Sequence, residues 1–347
     1  PNGKKGLLVC NHEYVNPEIM FPAAPPSAAE EAERRAIFRN AVGMSVVELK
    51  RGSRGRPWSY IRGARLNRRI TLDTVFELTG PAAGSDLLKT AADPQGRYVS
   101  GTLGNCAGGS TPWGTVLSGE ENFNGFFRTE GISAQDKRYG LGNKATAMGW
   151  EQEDPRFDAR SPETRNEPNR FGYIVEVDPE DPASVPRKHT SLGRFKHEGA
   201  NVIIARNGKA VAYSGDDERF DYLYKFVSKN KYRKTDKRHN MTLLSEGDLY
   251  VARFAGNSPA SEIDGSGTVP NDGGFDGRGT WLPLVVRGKS AVPGMSVEEV
   301  LVYTRIAADK AGATKMDRCE DVEPNPATGR VYVACTNNSN RGVDGKT

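Results

Sequence analysis

Four apolar runs in this sequence end alike. "LLVCNHEY" (7–14), "GTVLSGEEN" (114–122), "AVAYSGDDE" (210–218) and "VYVACTNNS" (331–339) each close on a small residue and then a polar, mostly acidic cluster. Taken singly, "GEEN" is an ordinary surface turn, because Gly, Glu and Asn are common turn residues. Recurrence at one relative position argues instead that equivalent strands converge. Asn11, Glu13, Glu120, Glu121, Asn122, Glu198, Asp216, Asp217, Glu320 and Asp321 would then crowd one face or channel. Carboxylates at close range repel and shift one another's pKa values. A polyvalent cation is the simplest relief, and oxygen-only clusters suit a hard cation such as Ca²⁺.

One member of the set is soft. Cys106 lies in the Gly-rich "GTLGNCAGGSTPWG", with no apolar strand around it, and a thiolate among carboxylates favours iron or another transition metal. Cys10 and Cys335, at strand ends, read as small buried hydrophobes, and Cys319 as structural. Arg318, two residues before Glu320, offers a guanidinium that can grip two phosphate oxygens or simply neutralise nearby carboxylates. His12 and His197 each precede a Glu of interest, but neighbours on a strand point to opposite faces, so both are expected to be structural or supporting. No HExxH zinc motif, GxSxG elbow, P-loop or helix-opening GxGxxG occurs.

These residues need a scaffold of many short strands. One segment reads clearly as a helix, "PPSAAEEAERRAIFRNAVG" (25–43), with Ser27 and Glu30 at capping-box spacing and Gly43 as its stop. Elsewhere, apolar or alternating runs at 45–50, 74–80, 97–103, 172–179, 209–215, 223–228, 247–254, 280–286 and 330–336 are cut by Gly, Pro, Asn and Asp. "KHEGANVIIARNGKAVAYSGDDE" and "RCEDVEPNPATGRVYVACTNN" also share an upstream Glu and a turn between two strands. A repeated hairpin that delivers polar groups to one place predicts an all-β propeller, in which corresponding strands aim at a common axis. The helix at 25–43 and long polar loops at 128–170 and 255–278 are expected as insertions in a single domain spanning 1–347. A β-sandwich stays open, since the repeats are weak and unevenly spaced.

The 347 residues are 36% hydrophobic and 27% charged, with 39 Gly and 21 Pro, as expected of a globular protein rich in turns. The net charge of +4 gives no reason to expect a nucleic-acid partner, and "KNKYRKTDKRH" (229–239) reads as a solvated basic loop. No apolar stretch approaches the ~20 residues that would span a bilayer. Four cysteines without a CxxC pair are too few for a disulfide scaffold. The chain opens "PNGKKGLLVC", without an initiator Met, so a processed or incomplete chain is expected.

Taken together, "LLVCNHEY", "NCAGGSTPWGTVLSGEENFNGFF", "FKHEGANVII", "KAVAYSGDDERFDYLYKFVS" and "MDRCEDVEPNPATGRVYVACTNNS" resemble the PhoX family of bacterial alkaline phosphatases from end to end. The resemblance implies a β-propeller, here with six blades and a ring incomplete at both ends of this chain. It implies export by the twin-arginine route to the periplasm or beyond, a monomer, and hydrolysis of small phosphomonoesters. The implied cofactors are Fe³⁺ and Ca²⁺, which would supply a metal-activated oxygen nucleophile. The bridging cysteine of the family falls on Cys106, its iron-binding glutamates on Glu121, Glu198 and Glu320, and its phosphate-contacting arginine on Arg318. Asn11, Glu13, Glu120, Asp216, Asp217 and Asp321 match positions that would serve calcium. Two other readings of the residues are a calcium-dependent propeller lactonase or esterase, which has no use for Cys106, and a non-catalytic calcium-stabilised binding propeller.

Overall fold

The computed structural model describes residues 3–23, 27–256, 258–262, 266, 268, 274 and 276–345. The chain is mostly β, arranged in several sheets, and among the described residues no sheet closes into a barrel. β1 (Lys5–His12) pairs along its whole length with β2 (Gly43–Lys50), which also holds the short β3 (Ser59–Tyr60) and β4 (Arg68–Ile70). The second sheet has the order β6-β5-β10-β9-β8-β7, made of β5 (Val75–Thr79), β6 (Tyr98–Ser100), β7 (Asn105–Ser110), β8 (Val116–Glu120), β9 (Ile174–Val177) and β10 (Arg187–His189). The third is an antiparallel meander of β11 (Asn201–Ile204), β12 (Lys209–Gly215), β13 (Leu223–Lys231), β14 (Gly247–Gly256), β15 (Gly277–Val286) and β16 (Lys289–Ser290). A hairpin of β17 (Cys319–Pro324) and β18 (Val331–Cys335) follows.

The nine runs expected as strands all fall on observed strands. Their edges meet in a consistent order: β1 lies against β7, β7 against β11, and β11 against β17. This side-by-side placement of edge strands from four sheets is what brings distant polar residues together.

The longer of two helices between β1 and β2 covers Ala28–Ala41, capped by Ser27, whose hydroxyl accepts from the Glu30 N–H at 3.3 Å and donates to its carboxylate at 2.7 Å. Two further helices, Val297–Val302 and Thr304–Ala311, were not legible as such in the sequence reading, although Ser296 and Glu299 complete a capping box ahead of the first. The segment 128–170 departs from the expected polar loop. It buries Tyr139, Trp150 and Phe157 in the main core, where Phe127 packs on Phe157 and Phe171 with ring centroids 5.2 and 5.1 Å apart. Its polar composition reflects tight turns and ion pairs such as Arg156–Asp154 around those aromatics. Most of the loop expected at 255–278 lies outside the described residues.

Candidate metal centre

The register of three hairpins builds the site. Asn105 on β7 faces Glu120 on β8, His197 bridges Asp216 beyond β12, and Cys319 on β17 faces Cys335 on β18. Successive residues of an extended chain point to opposite sides. Asn105, His197 and Cys319 therefore turn inward and are wholly buried, and Glu120 and Asp216 follow them. The next residue along the chain, Cys106 and Glu198 on one side and Glu121 and Asp217 on the other, faces a common cluster, whereas Glu320, expected as an iron ligand, stands outside both ligand groups and against Arg318.

That cluster has two overlapping parts. Single ligand atoms of Glu13, Cys106 and Glu121 lie within 4.8 Å of one another, and so do those of Glu121, Glu198 and Asp217. Glu121 belongs to both. Cys106 Sγ lies 3.0 Å from Glu198 Oε1. Arg318 closes the rim: its Nε and Nη2 donate to the two oxygens of Asp217 at 2.9 and 2.8 Å, and Nη2 lies 3.2 Å from Glu320 Oε1. Arg318 holds a left-handed backbone, φ 56°.

The electrostatics are those of crowded, partly buried acids. Burial, with Asp217 and Glu198 close by, pushes the Glu121 carboxyl up to about 9. Burial also raises Glu198 to about 7, with Asp217 and Glu320 adding to the shift, and raises Glu13. The Cys106 thiol is driven up by burial and by Glu198. A protein pays for such a cluster in self-repulsion unless a cation joins it. The donor set fits one: a thiol suited to iron or another transition metal and carboxylates suited to a hard cation, with no histidine among them.

Three expected calcium ligands, Glu120, Asp216 and Asp321, lie outside the cluster. Glu120 is wholly buried and sits 2.7 Å from Lys188 Nζ, while its oxygens accept from Thr102 Oγ1 at 2.9 Å and from the N–H groups of Gly172 and Tyr173 at 3.0 and 3.2 Å. Asp216 is likewise wholly buried and takes a two-pronged grip from Arg305 at 2.7 and 2.5 Å. These carboxylates are spent on internal cations, so neither is free to bind calcium. Asp321 is exposed on β17, where the register shifts between Cys319 and Val322, and it belongs to neither ligand group. Asn11 reaches the centre differently from the expectation, its side-chain N–H donating to the Cys106 carbonyl.

His197 is a structural residue, bonded to Ser214 Oγ at 2.7 Å and the Gly193 carbonyl at 2.9 Å, and burial drops its pKa to about 3. His12 contacts Ser45 Oγ at 2.9 Å. Cys335, expected to be buried, is exposed. The sequence reading gave no role to Tyr14 and little to Asn122. Asn122 donates to Glu121 Oε1 at 2.5 Å and to the Tyr14 hydroxyl at 2.9 Å, which aims the shared carboxylate. Burial and the Glu121 charge raise Tyr14 to about 12, so it stays a neutral phenol at moderately alkaline pH. Their only signal was adjacency to Glu13 and Glu121.

The "SG" before each acidic pair has its own task. A Cβ on Gly119 would stand 2.2 Å from the His197 carbonyl oxygen, and one on Gly215 2.2 Å from that of Cys319. Each glycine thus lets one hairpin close on the backbone of the next. Gly215→Ala is expected to lower stability by about 1–3 kcal/mol through overpacking and to reduce bound metal per chain. Gly52→Ala, where a Cβ meets nothing within 4 Å, should change neither. Thermal melting and elemental analysis of the two variants make the comparison.

Among the described residues no helix is long and apolar enough to cross a membrane. No curated protein matches the chain. A solved structure does: Pseudomonas fluorescens PhoX in complex with vanadate, a transition state analogue, is 40% identical with a TM-score of 0.87. The likeness covers 99% of this chain but 58% of the relative's, so the chain spans somewhat over half of that protein's length. The sequence also matches the family alkaline phosphatase PhoX over residues 1–346, and with the same fold at that identity the chain belongs to the PhoX alkaline phosphatase family.

Proposed function

We propose that this protein is an alkaline phosphatase that hydrolyses small phosphomonoesters at an iron–calcium centre, as an exported monomer. We take the sheets as blades of one six-bladed propeller domain. The observation that carries the functional reading is the sharing of Glu121 between two ligand clusters, one of which contains Cys106, beside Arg318. The vanadate bound by the P. fluorescens relative supports phosphoryl transfer as the reaction. Cys106 within the cluster also favours iron over the calcium-only lactonase or binding-protein readings.

Cys106, Glu121, Glu198 and Glu320 would hold iron, with Glu13, Asp217 and Asn11 on the calcium side. When bound, the cations would supply Lewis acidity toward the phosphate oxygens and the attacking water. The protein's own part is positioning and charge. Arg318 has Nε and Nη2 anchored on Asp217 and Glu320, which leaves Nη1 to meet a non-bridging phosphate oxygen. A guanidinium fixed in this way stabilises charge spread over the equatorial oxygens in an in-line displacement. Asn122 and Tyr14 keep Glu121 in one orientation, and no side chain need form a phosphoenzyme.

The test is elemental analysis of the purified protein alongside a p-nitrophenyl phosphate assay of wild type and Cys106→Ala. Iron and calcium in the wild type, with iron and turnover both lost in the variant, are the expected results. Full activity of Cys106→Ala with calcium alone would overturn the iron assignment. Metal-loaded wild type without phosphatase activity would overturn the function.

A further inference from the structure

We propose that Cys319 and Cys335 form a thiol-oxidation site, a pair placed to join as a cross-strand disulfide when a small-molecule disulfide is available. The two residues are direct partners across the β17–β18 hairpin, and their Sγ atoms lie 3.9 Å apart. Opposite residues of an antiparallel pair have Cα atoms about 4.5–5.5 Å apart, within the ~4.4–6.8 Å that a disulfide spans. Closing the Sγ gap therefore asks for side-chain rotation and no change of register. The hairpin is held on the far side of this pair by the Thr336 N–H donating to the Arg318 carbonyl at 3.3 Å.

The two thiols differ in access, and that sets the order of reaction. Cys335 is exposed, whereas Cys319 is wholly buried, packed beneath Gly215 and 3.5 Å from Met316 Sδ. The Cys335 thiolate would attack one sulfur of the external disulfide, forming a mixed disulfide and expelling one small thiolate. The Cys319 sulfur would then displace the second small thiolate from Cys335. In sum, two protein thiols lose two protons and two electrons, the external disulfide gains them, and two small thiols leave. The other cysteines are placed differently, Cys106 within the carboxylate cluster and Cys10 on β1.

The bond would tie β18 to the residue that lies between Arg318 and Glu320. It would fix the hairpin that carries both without altering either side chain. This assignment is independent of which metals the centre binds, because neither sulfur is among the clustered ligand atoms.

The experiment uses the metal-loaded wild-type chain incubated with oxidised glutathione, alkylated, digested without reductant and mapped by mass spectrometry. The expected product is a peptide pair linked through Cys319 and Cys335. The treated wild type should also melt about 3–6 °C above Cys335→Ser treated in the same way, as a short closed loop predicts for a chain of this size. Recovery of both residues alkylated, or of Cys335 as a stable glutathione adduct with Cys319 free, would overturn the proposal.

Discussion

Glu121→Gln should cost the protein most of its bound metal and lower kcat/KM on p-nitrophenyl phosphate by roughly 10³-fold or more. The substitution keeps the shape and one acceptor oxygen but removes the one charge common to both ligand groups, Glu13–Cys106–Glu121 and Glu121–Glu198–Asp217. Loss at a shared position damages two sites at once, so the effect should exceed that of Glu13→Gln, which belongs to one group only. Folding should not suffer. The Glu121 carboxyl is already driven toward its neutral form by burial and by Asp217 and Glu198, so in the absence of cations a neutral amide relieves repulsion. Metal per chain, initial rates and melting temperature of the metal-stripped protein separate the effects. Turnover within about threefold of wild type, at full metal content, would remove Glu121 from the centre.

The sequence made a good part of this arrangement legible, and its failures have one physical origin. The repeats "LSGEE" and "YSGDD" identified chain segments that do occupy equivalent places, the ends of β8 and β12. They also carried Gly119 and Gly215, which allow the hairpins to approach. What a linear reading could not give was which acid of each pair faces the site. Period-two alternation says only that the two differ. The choice is made by Lys188 and Arg305, which wait behind the strands and are distant in sequence from Glu120 and Asp216. Both acids were accordingly assigned to metal when one of each pair is structural. The fold shows the same pattern. Strands bounded by Gly and Pro were readable locally, but the segment 128–170 looked polar because its few aromatics reach a core assembled from other sheets. The capping box at Ser296 is a weak signal in the sequence, since the helix it starts is only six residues long.

The neighbouring residue should fail in the opposite manner, which makes the ion pair behind the site the sharper structural test. Lys188 and Glu120 are both wholly buried with their charges 2.7 Å apart, and Lys188 Nζ also donates to the Arg170 carbonyl at 3.1 Å and lies 3.7 Å from the Phe171 ring centroid. Burial pulls Lys188 below the usual lysine range, with Glu120 opposing the shift. Lys188→Met preserves most of the volume but leaves a carboxylate without its cation, at an expected cost of about 3–5 kcal/mol. Glu120→Gln alone strands the ammonium in the same way. The double variant Lys188→Met/Glu120→Gln removes both charges, so its cost should be smaller than the sum of the two single costs. Chemical denaturation of the four proteins measures the cycle. If the double variant loses the full sum, the pair is not coupled and the assignment of Glu120 to internal structure is wrong. Folded Lys188→Met should retain bound metal and near wild-type turnover, because Glu120 turns away from the cluster that Glu121 faces.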